Sequence, residues 1–221
     1  MRIDPAGWPF VLGGLVIAII LAFVAGTAFG VILLGLSAFF LFFFRDPHRE
    51  VRVPPSGVVS PADGRVMVAG TPTASGFPAD RWQQISIFLS PMDVHVNRMP
   101  VGGRVLKVTY KPGRFLPAYK SEAADLNEYT EVVVDHDGTP IVVRQIVGIL
   151  ARRIVCRLKE GDVVQAGDRF GVMKFGSRMD VFLPRSATLQ VVVGQKVQGG
   201  VTLLATLAVP APPGDSKGAT P

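Results

Sequence analysis

The chain has 221 residues, and its first fifth is far more apolar than the rest, which leaves room for one soluble domain of ordinary size behind an apolar leader. Lysine and arginine number 23 against 17 aspartates and glutamates, and the formal charge of +6 favours anionic partners such as nucleic acid or lipid headgroups. The sequence has no Lys/Arg-rich run and no zinc-knuckle spacing, so we expect no nucleic-acid partner and no metal site, and the single cysteine excludes an internal disulfide.

The stretch 9–44 carries no charged side chain. One helix of that length would be about 54 Å long, whereas the hydrocarbon core of a bilayer is about 30 Å thick. Small residues, Ala25, Gly26 and Thr27, lie near the middle, so the sequence predicts a hairpin of two membrane helices that turns there. One tilted span with an interfacial remainder is the alternative. A cleaved signal peptide would have a shorter apolar region and a more basic start.

Basic residues follow the apolar stretch directly, at Arg45, His48, Arg49 and Arg52. By the positive-inside rule, they place this end of the hairpin in the cytoplasm. We therefore expect a protein of the cell membrane that contacts the anionic membrane surface with its main domain on the cytoplasmic side. The predicted segments are a cytoplasmic N-terminus 1–8, an anchor 9–44, a juxtamembrane basic linker 45–56, a catalytic β domain 57–209 and a disordered tail 210–221.

Behind the linker, short apolar or alternating runs are separated by Gly, Pro and Asp, which is the pattern of β-strands. Their spacing is typical of a sandwich or barrel, so the sequence predicts a mainly β, barrel-sandwich-like domain behind the helical hairpin. The segment 135–138 has the composition of a turn, which predicts that His136 is solvated. The predicted strands contain residues 64–68, 84–89, 104–108, 131–134, 141–143, 154–156, 170–173, 181–183 and 189–193.

Three short segments carry residues able to do chemistry. Each segment alone has an ordinary structural explanation: a capped turn, a core histidine and a Gly-Ser turn. Together they supply an acid, base and nucleophile, in which Asp63 orients His95 and His95 takes the proton of Ser177. The Gly-x-Ser-x-Gly flanking of a hydrolase serine is absent, because Met179 stands at its last position and Gly176 directly precedes the serine. The predicted target is therefore the preceding carbonyl of the same chain, which the flexible glycine lets the serine approach.

A set of motifs, in one order along the chain, resembles the short, single-domain class of phosphatidylserine decarboxylases up to about Leu183. The resemblance implies a proenzyme in which Ser177 attacks the Gly176 carbonyl, leaving a β chain 1–176 and an α chain 177–221 that stay together as a heterodimer. It also implies that residue 177 becomes a pyruvoyl cofactor, on which phosphatidylserine forms a Schiff base and loses carbon dioxide to give phosphatidylethanolamine. The motifs are Phe44-Arg45-Asp46-Pro47, Ser60-Pro61-Ala62-Asp63-Gly64, Ser90-Pro91-Met92-Asp93-Val94-His95-Val96-Asn97-Arg98, Arg144-Gln145-Ile146, Ala151-Arg152-Arg153-Ile154-Val155-Cys156 and Phe175-Gly176-Ser177-Arg178.

The motif around His95 departs from longer members of that family, which carry a second histidine three positions on, where this chain has Arg98. This leaves open whether His95 serves both as the base of cleavage and as a later proton donor. Arg98 and its neighbour Asn97 are predicted to bind the substrate, with the guanidinium on its carboxylate or phosphate. Arg152 or Arg153 is predicted to lie near the phosphate or the anionic bilayer.

Other classes of protein fit parts of the same sequence. The run 158–168 with the following strand resembles the hairpin of biotinyl and lipoyl carriers, in which Lys174 would be modified, although Phe-Gly-Ser follows it here. A membrane-tethered serine hydrolase would use Ser177 without cutting the chain. A pyruvoyl enzyme acting on free amino acids has no need of an apolar hairpin, so the hairpin favours a lipid substrate.

Overall fold

The computed structural model describes residues 2–149, 153–174 and 176–208, and it opens with the two apolar helices that the sequence predicts. A single 3₁₀ turn, Pro5–Gly7, leads into α1 (Trp8–Val24), and α2 (Thr27–Phe43) follows. Gly26, between the helices, has a φ of 102°, a backbone conformation that favours glycine. The predicted helical hairpin and the position of its turn are confirmed.

The two helices of the hairpin approach each other through small residues. A Cβ added at Gly14 would lie 2.5 Å from Ser37 Oγ, and one added at Gly30 would lie 2.6 Å from Ala22 Cβ. Most large apolar side chains face outward instead. Within the described part of the chain, Pro5–Val24 is the one helix long and apolar enough to cross a membrane by length and composition, with a mean hydropathy of 2.4, and α2 is shorter.

The base of the hairpin is fastened by a small sheet, in which β1 (Arg2–Ile3) pairs antiparallel with β2 (Arg45–Asp46). The Asp4 N–H also donates to the Phe44 carbonyl at 2.9 Å. These residues flank the start of α1 and the end of α2, so both ends of the hairpin lie on the same side. Phe44 is fully buried there in a cluster with Val172 of the β domain.

The rest of the described chain is mainly β, which confirms the predicted fold class. All strand pairs are antiparallel, and the largest sheet has the order β11-β7-β8-β9-β13-β5-β4-β15. Two three-stranded sheets, β10-β12-β6 and β14-β16-β3, complete the domain. The strands are β3 (Gly57–Val59), β4 (Gly64–Gly70), β5 (Trp82–Leu89), β6 (Val96–Arg98), β7 (Gly103–Lys111), β8 (Tyr129–His136), β9 (Thr139–Val147), β10 (Ile154–Cys156), β11 (Val163–Val164), β12 (Arg169–Met173), β13 (Ser177–Pro184), β14 (Thr188–Leu189), β15 (Lys196–Val197) and β16 (Leu203–Thr206), with a short helix α3 (Ala123–Leu126) before β8.

One predicted strand, 189–193, is wrong over most of its length, because β14 ends at Leu189. Val192 and Val193 are exposed rather than packed, and Gly194 turns the chain with a φ of 89°. The Val192 N–H donates to the Gln195 side chain at 3.2 Å, so a local turn satisfies the backbone that a ladder would otherwise have paired.

The turn between β8 and β9 is confirmed, with positive φ at Asp137 and Gly138. The prediction that His136 is solvated is wrong, because its ring is half-buried, with Nδ1 2.7 Å from the Gly102 carbonyl oxygen. The predicted tail 210–221 lies outside the described residues.

The strand β13 occupies the middle of the large sheet, between β9 and β5. Its apolar residues Met179, Val181 and Leu183 belong to the main core. On the opposite face, Arg178 Nε donates to Asp180 Oδ1 at 2.6 Å, and both side chains are buried. The first residue of β13 is therefore held by ladders on both sides and by packing on both faces.

Candidate active site

Ser177 is the first residue of β13, directly opposite Leu89 of β5 and Val147 of β9. It is fully buried, and its Oγ has no hydrogen-bond partner within the described residues. Gly176, just before it, has a φ of 73°. A serine held by two strands thus follows a glycine whose left-handed backbone turns the connecting peptide out of the regular ladder.

His95 precedes β6 and is tied to the end of β12, since its carbonyl accepts the Met173 N–H at 3.3 Å. The preceding turn is closed by Asp93, whose carboxylate accepts the Ser90 N–H at 2.8 Å, with Pro91 in its second position. The turn directs the Asp93 carbonyl toward the imidazole, 2.9 Å from Nδ1. Because a carbonyl only accepts, Nδ1 carries the hydrogen and Nε2 keeps its lone pair.

The imidazole of His95 is shielded from water on every side. It is fully buried, and the Phe43 ring of α2 packs against it with ring centroids 4.1 Å apart. Burial lowers the pKa of His95 from 6.5 to about 4. At neutral pH the group is therefore uncharged, which is the state that a general base requires.

Asp63 does not contact His95 by a hydrogen bond in the described structure. Its carboxylate forms a two-point ion pair with the Arg49 guanidinium, at 2.5 Å and 2.7 Å, and accepts the Gly199 N–H at 2.9 Å. The Asp63 charge still acts on the imidazole through space, where it raises the pKa of His95 against the larger lowering by burial. Asp63 also lines a cleft of about 490 Å³ together with Asp93, two residues before the histidine.

Some buried polar side-chain atoms have no hydrogen-bond partner. Among the described residues, these atoms are His95 Nε2, Ser177 Oγ, Asn97 Nδ2 and Gln145 Oε1. Such unpartnered atoms are costly in a folded core, so they indicate groups kept for a reaction rather than for stability. A neutral imidazole nitrogen and a serine hydroxyl are the base and nucleophile of an attack on a carbonyl.

Comparison with known proteins decides the family. The family model described as phosphatidylserine decarboxylase matches residues 36–205. The chain belongs to the phosphatidylserine decarboxylase family. Proteins named phosphatidylserine decarboxylase proenzyme from Granulibacter bethesdensis and Geotalea uraniireducens are 43% and 41% identical to it, over 92% and 91% of this chain and 84% and 94% of theirs. A solved M23 metalloprotease, pseudoalterin, covers 67% of this chain and 76% of its own at a TM-score of 0.31 and 13% identity, too distant to support any argument.

The structure also bears on the two other classes of protein that fit parts of the sequence, a carrier module and a serine hydrolase. Lys174, the candidate carrier lysine, does not stand free at a turn, because its Nζ lies 4.6 Å from the centroid of the Phe10 ring of α1. Burial lowers the pKa of Lys174, with the charge of Arg153 second. A hydrolase would need an accessible nucleophile, whereas Ser177 is fully buried.

The predicted substrate-binding residues are both engaged within the protein. Arg98 donates to Asp46 Oδ1 at 2.7 Å and to the Gly167 carbonyl at 3.1 Å, and it is buried. Asn97 Oδ1 accepts from Gln145 Nε2 at 2.8 Å, so only the other end of the Asn97 amide remains available. Arg152 lies outside the described residues.

An apolar cleft of about 350 Å³ opens at Gly176, the glycine at the predicted cleavage site. Its lining includes Gly176, Pro91, Tyr119 and Ile149. Tyr119 and Ile149 are 63% and 54% exposed, so this cleft is open to the surface. An apolar passage therefore leads from the surface to the bond that precedes Ser177.

Gln145 lies in one of the motifs that carry the family resemblance, but the sequence predicted no role for it. Gln145 is fully buried in β9, among Val142, Val143, Ile146 and Val147. An uncharged polar residue in such a mainly apolar strand indicates a specific role, because burying an amide costs free energy unless hydrogen bonds compensate it.

Proposed function

We propose that this chain is a proenzyme that cuts itself between Gly176 and Ser177 and then decarboxylates phosphatidylserine to phosphatidylethanolamine and carbon dioxide. The observation that carries the proposal is the pair of buried, unpartnered atoms, His95 Nε2 and Ser177 Oγ, beside a glycine with a left-handed backbone. The relatives named as phosphatidylserine decarboxylase proenzymes support both halves of it, since a proenzyme is a precursor that must be processed.

The self-cleavage follows from the chemistry of these groups. His95 Nε2 takes the Ser177 hydroxyl proton while Oγ attacks the Gly176 carbonyl carbon, and the C–N bond breaks as the proton passes to the departing amine. The resulting ester breaks by elimination, in which the Ser177 Cα proton is removed and the Cβ–Oγ bond opens to release Gly176 as a carboxylate. One water then replaces the amine, which leaves as ammonia, and residue 177 of the α chain becomes a pyruvoyl group.

The site fits a pyruvoyl group at residue 177, because the buried atoms without a partner include the Asn97 Nδ2 donor and the Gln145 Oε1 acceptor. That group supplies a carbonyl that accepts the electrons left behind by carbon dioxide. Asn97 and Gln145 offer a donor and an acceptor to the polar end of the substrate, and His95 remains in place to move protons. We assign Asp63 the task of favouring the protonated imidazole through its charge.

The two chains would remain joined after cleavage as a heterodimer. β13 belongs to the α chain, yet its ladders run to β5 and β9, which belong to the β chain. β16 likewise pairs with β3, and β15 with β4. The cut therefore severs one peptide bond without removing any strand from the sheets, and residue 177 keeps its position.

A lipid substrate accounts for the apolar parts of the molecule. The hairpin brings the domain to a bilayer, and the apolar cleft at Gly176 gives the diacylglycerol part of phosphatidylserine a route to residue 177. Arg52, 87% exposed in its side chain just beyond the hairpin, suits an anionic surface on the cytoplasmic side. We therefore place the protein in the cell membrane with its catalytic domain in the cytoplasm.

Intact mass spectrometry of the detergent-extracted protein tests the proposal. The wild type should yield fragments 1–176 and 177–221, and the small one should react with a hydrazide through a ketone at its new amino terminus. Ser177→Ala and His95→Gln should each leave one uncut, inactive chain. His136→Gln is the matched control for the histidine change and should cut normally. A wild-type protein that folds and stays a single polypeptide would end the proposal.

A further inference from the structure

Gly148 lies next to the scissile peptide, on the neighbouring strand. Val147, the last residue of β9, pairs with Ser177, so one step further along this antiparallel ladder brings Gly148 opposite Gly176. A Cβ built at Gly148 would come closer to the Gly176 carbonyl oxygen than the 3.0 Å that real Cβ atoms essentially never undercut. It would also lie 3.2 Å from the Gly176 carbonyl carbon, the atom that Ser177 must attack.

The two glycines are needed for different physical reasons. Gly176 has a φ of 73°, but none of the described residues lies within 4 Å of a Cβ built on it, so its requirement is conformational. The backbone of Gly148 has no such left-handed φ, and its own conformation therefore accepts alanine. What excludes a side chain at 148 is the space that the Gly176 carbonyl already occupies.

We propose that Gly148 is a positioning residue for self-cleavage. Because Gly148 has no side chain, the Gly176 carbonyl can occupy the position in which Ser177 attacks it. The inference rests on the proposed self-cleavage. Attack requires the reacting atoms to lie at about 3 to 3.5 Å with aligned orbitals, and a misplacement of about 1 Å costs on the order of a hundredfold in rate. Alanine at 148 moves the carbonyl, since the atom it meets is backbone of the bond to be cut and not the end of a flexible side chain.

The decisive experiment follows cleavage of the full chain made by cell-free synthesis into lipid nanodiscs. Gly148→Ala should form the two fragments about a hundredfold more slowly than the wild type. Gly57→Ala is the matched control, because its Cβ also meets a close neighbour, Val53 Cγ2 at 2.6 Å, but in β3 of a separate three-stranded sheet that does not contain β13. It should cut at the wild-type rate, and equal slowing in both variants would overturn the proposal as an effect of general destabilisation.

A second variant separates the carbonyl from ordinary packing. The built Cβ at Gly148 also lies 3.3 Å from Ala118 Cβ, so Ala118→Gly removes that contact and leaves the carbonyl contact. The double variant Gly148→Ala/Ala118→Gly should remain slow, and recovery of the wild-type rate would overturn the proposal. If Gly148→Ala alone does not fold, the double variant, in which Ala118→Gly has freed space, replaces it. Its cleavage rate is then compared with that of Gly57→Ala.

Hydroxylamine at neutral pH reports which step is lost, because it cuts esters and spares peptide bonds. With hydroxylamine, Gly148→Ala should release fragments no faster than it forms them without hydroxylamine, since attack on the displaced carbonyl is the slow step and no ester accumulates. Faster release of fragments with hydroxylamine would show that attack is not the slowed step and would refute the positioning role. A wild type that itself stays uncut would instead contradict the proposed self-cleavage, so the two failures are distinguishable.

Discussion

At the scale of single residues, the environment of His95 sets the chemistry. The Asp93 carbonyl fixes the hydrogen on Nδ1, and burial keeps the ring neutral at physiological pH. An exposed imidazole, with a pKa near 6.5, would be partly charged under the same conditions and would be a poorer base in that fraction of molecules. The same burial leaves Nε2 without a competing partner, so the serine proton has an open acceptor.

The rate of self-cleavage should therefore stay high well below pH 6.5. With a pKa of about 4 for His95, the neutral form persists down to that value, and the rate falls only as the pH drops through it. The free energy of unfolding should change with pH in the same direction. The contribution of the buried, neutral His95 is complete above pH 6.5 and is lost as the pH falls toward 4, because the lowered pKa opposes protonation in the folded state. A cleavage time course in buffers from pH 4 to 8 checks this. A half-maximal rate near pH 6.5 would show an imidazole open to water.

The Asp63 charge and the Asp63–Arg49 ion pair can be separated by substitution. Asp63→Asn should slow cleavage modestly, because the protonated imidazole of His95 loses a favourable charge that raises its pKa. Arg49→Gln breaks the same ion pair but leaves the carboxylate, so it should cut at nearly the wild-type rate. Single-turnover cleavage measures both. Equal slowing in the two variants would assign Asp63 a role in anchoring the linker instead.

At the scale of elements, the linker after α2 is locked to the β domain by buried charges. Asp46 of β2 pairs with Arg98 of β6 and with Arg169 of β12, and Asp46 and Arg98 are almost fully buried. Phe43, at the end of α2, packs on His95 just before β6. The apolar hairpin and His95 are thus joined through buried contacts, so in the proposed membrane protein the hairpin would hold the site at a set distance from the bilayer.

Arg98→Met tests whether Arg98 fastens the linker or binds substrate. Removing one partner of a buried ion pair costs about 3 to 5 kcal/mol, so the uncut Ser177→Ala chain carrying Arg98→Met should unfold several degrees lower. Adding Asp46→Leu should restore part of the loss, because no buried charge is then left alone. Arg52→Gln, in an exposed pair, is the control and should change little. Unchanged stability, with reduced turnover of phosphatidylserine when Arg98→Met is placed in the chain that keeps Ser177, would assign Arg98 to the substrate.

Elements with a clear periodicity of apolar residues, or with a clear turn composition, could be predicted from the sequence. The turn at Gly26 follows from the length of the apolar stretch, and β10 was predicted with its observed bounds. The partners of Arg98 and Asp63 could not be predicted, since Asp46 is 52 residues from Arg98 in sequence and a guanidinium suits a substrate phosphate equally well. Gly148 gave no signal at all, because its importance comes from a carbonyl on another strand.

At the scale of the whole molecule, the order of the strands would let the chain be cut as proposed and stay folded. The proposed scissile bond lies at the start of the central strand β13, while the residues after it contribute strands to the large sheet and to one small sheet. Cleavage there would free an end beside the apolar cleft, where Gly176 contributes to the lining. The sequence predicts the bond, whereas the position of that bond beside a surface cleft could be read only from the fold.

The two-helix anchor makes a prediction about topology. Each helix has 17 residues, or about 26 Å, slightly short of a hydrocarbon core of about 30 Å, so two full spans require local thinning of the bilayer. In a Cys156→Ser background, Ala25→Cys at the turn should react with an impermeant maleimide from the outside of intact cells. Arg52→Cys, beyond the hairpin, should react only in inverted vesicles. Labelling of both positions from the same side would mean that the hairpin lies in the interface, and that the apolar cleft receives its lipid without a spanning anchor.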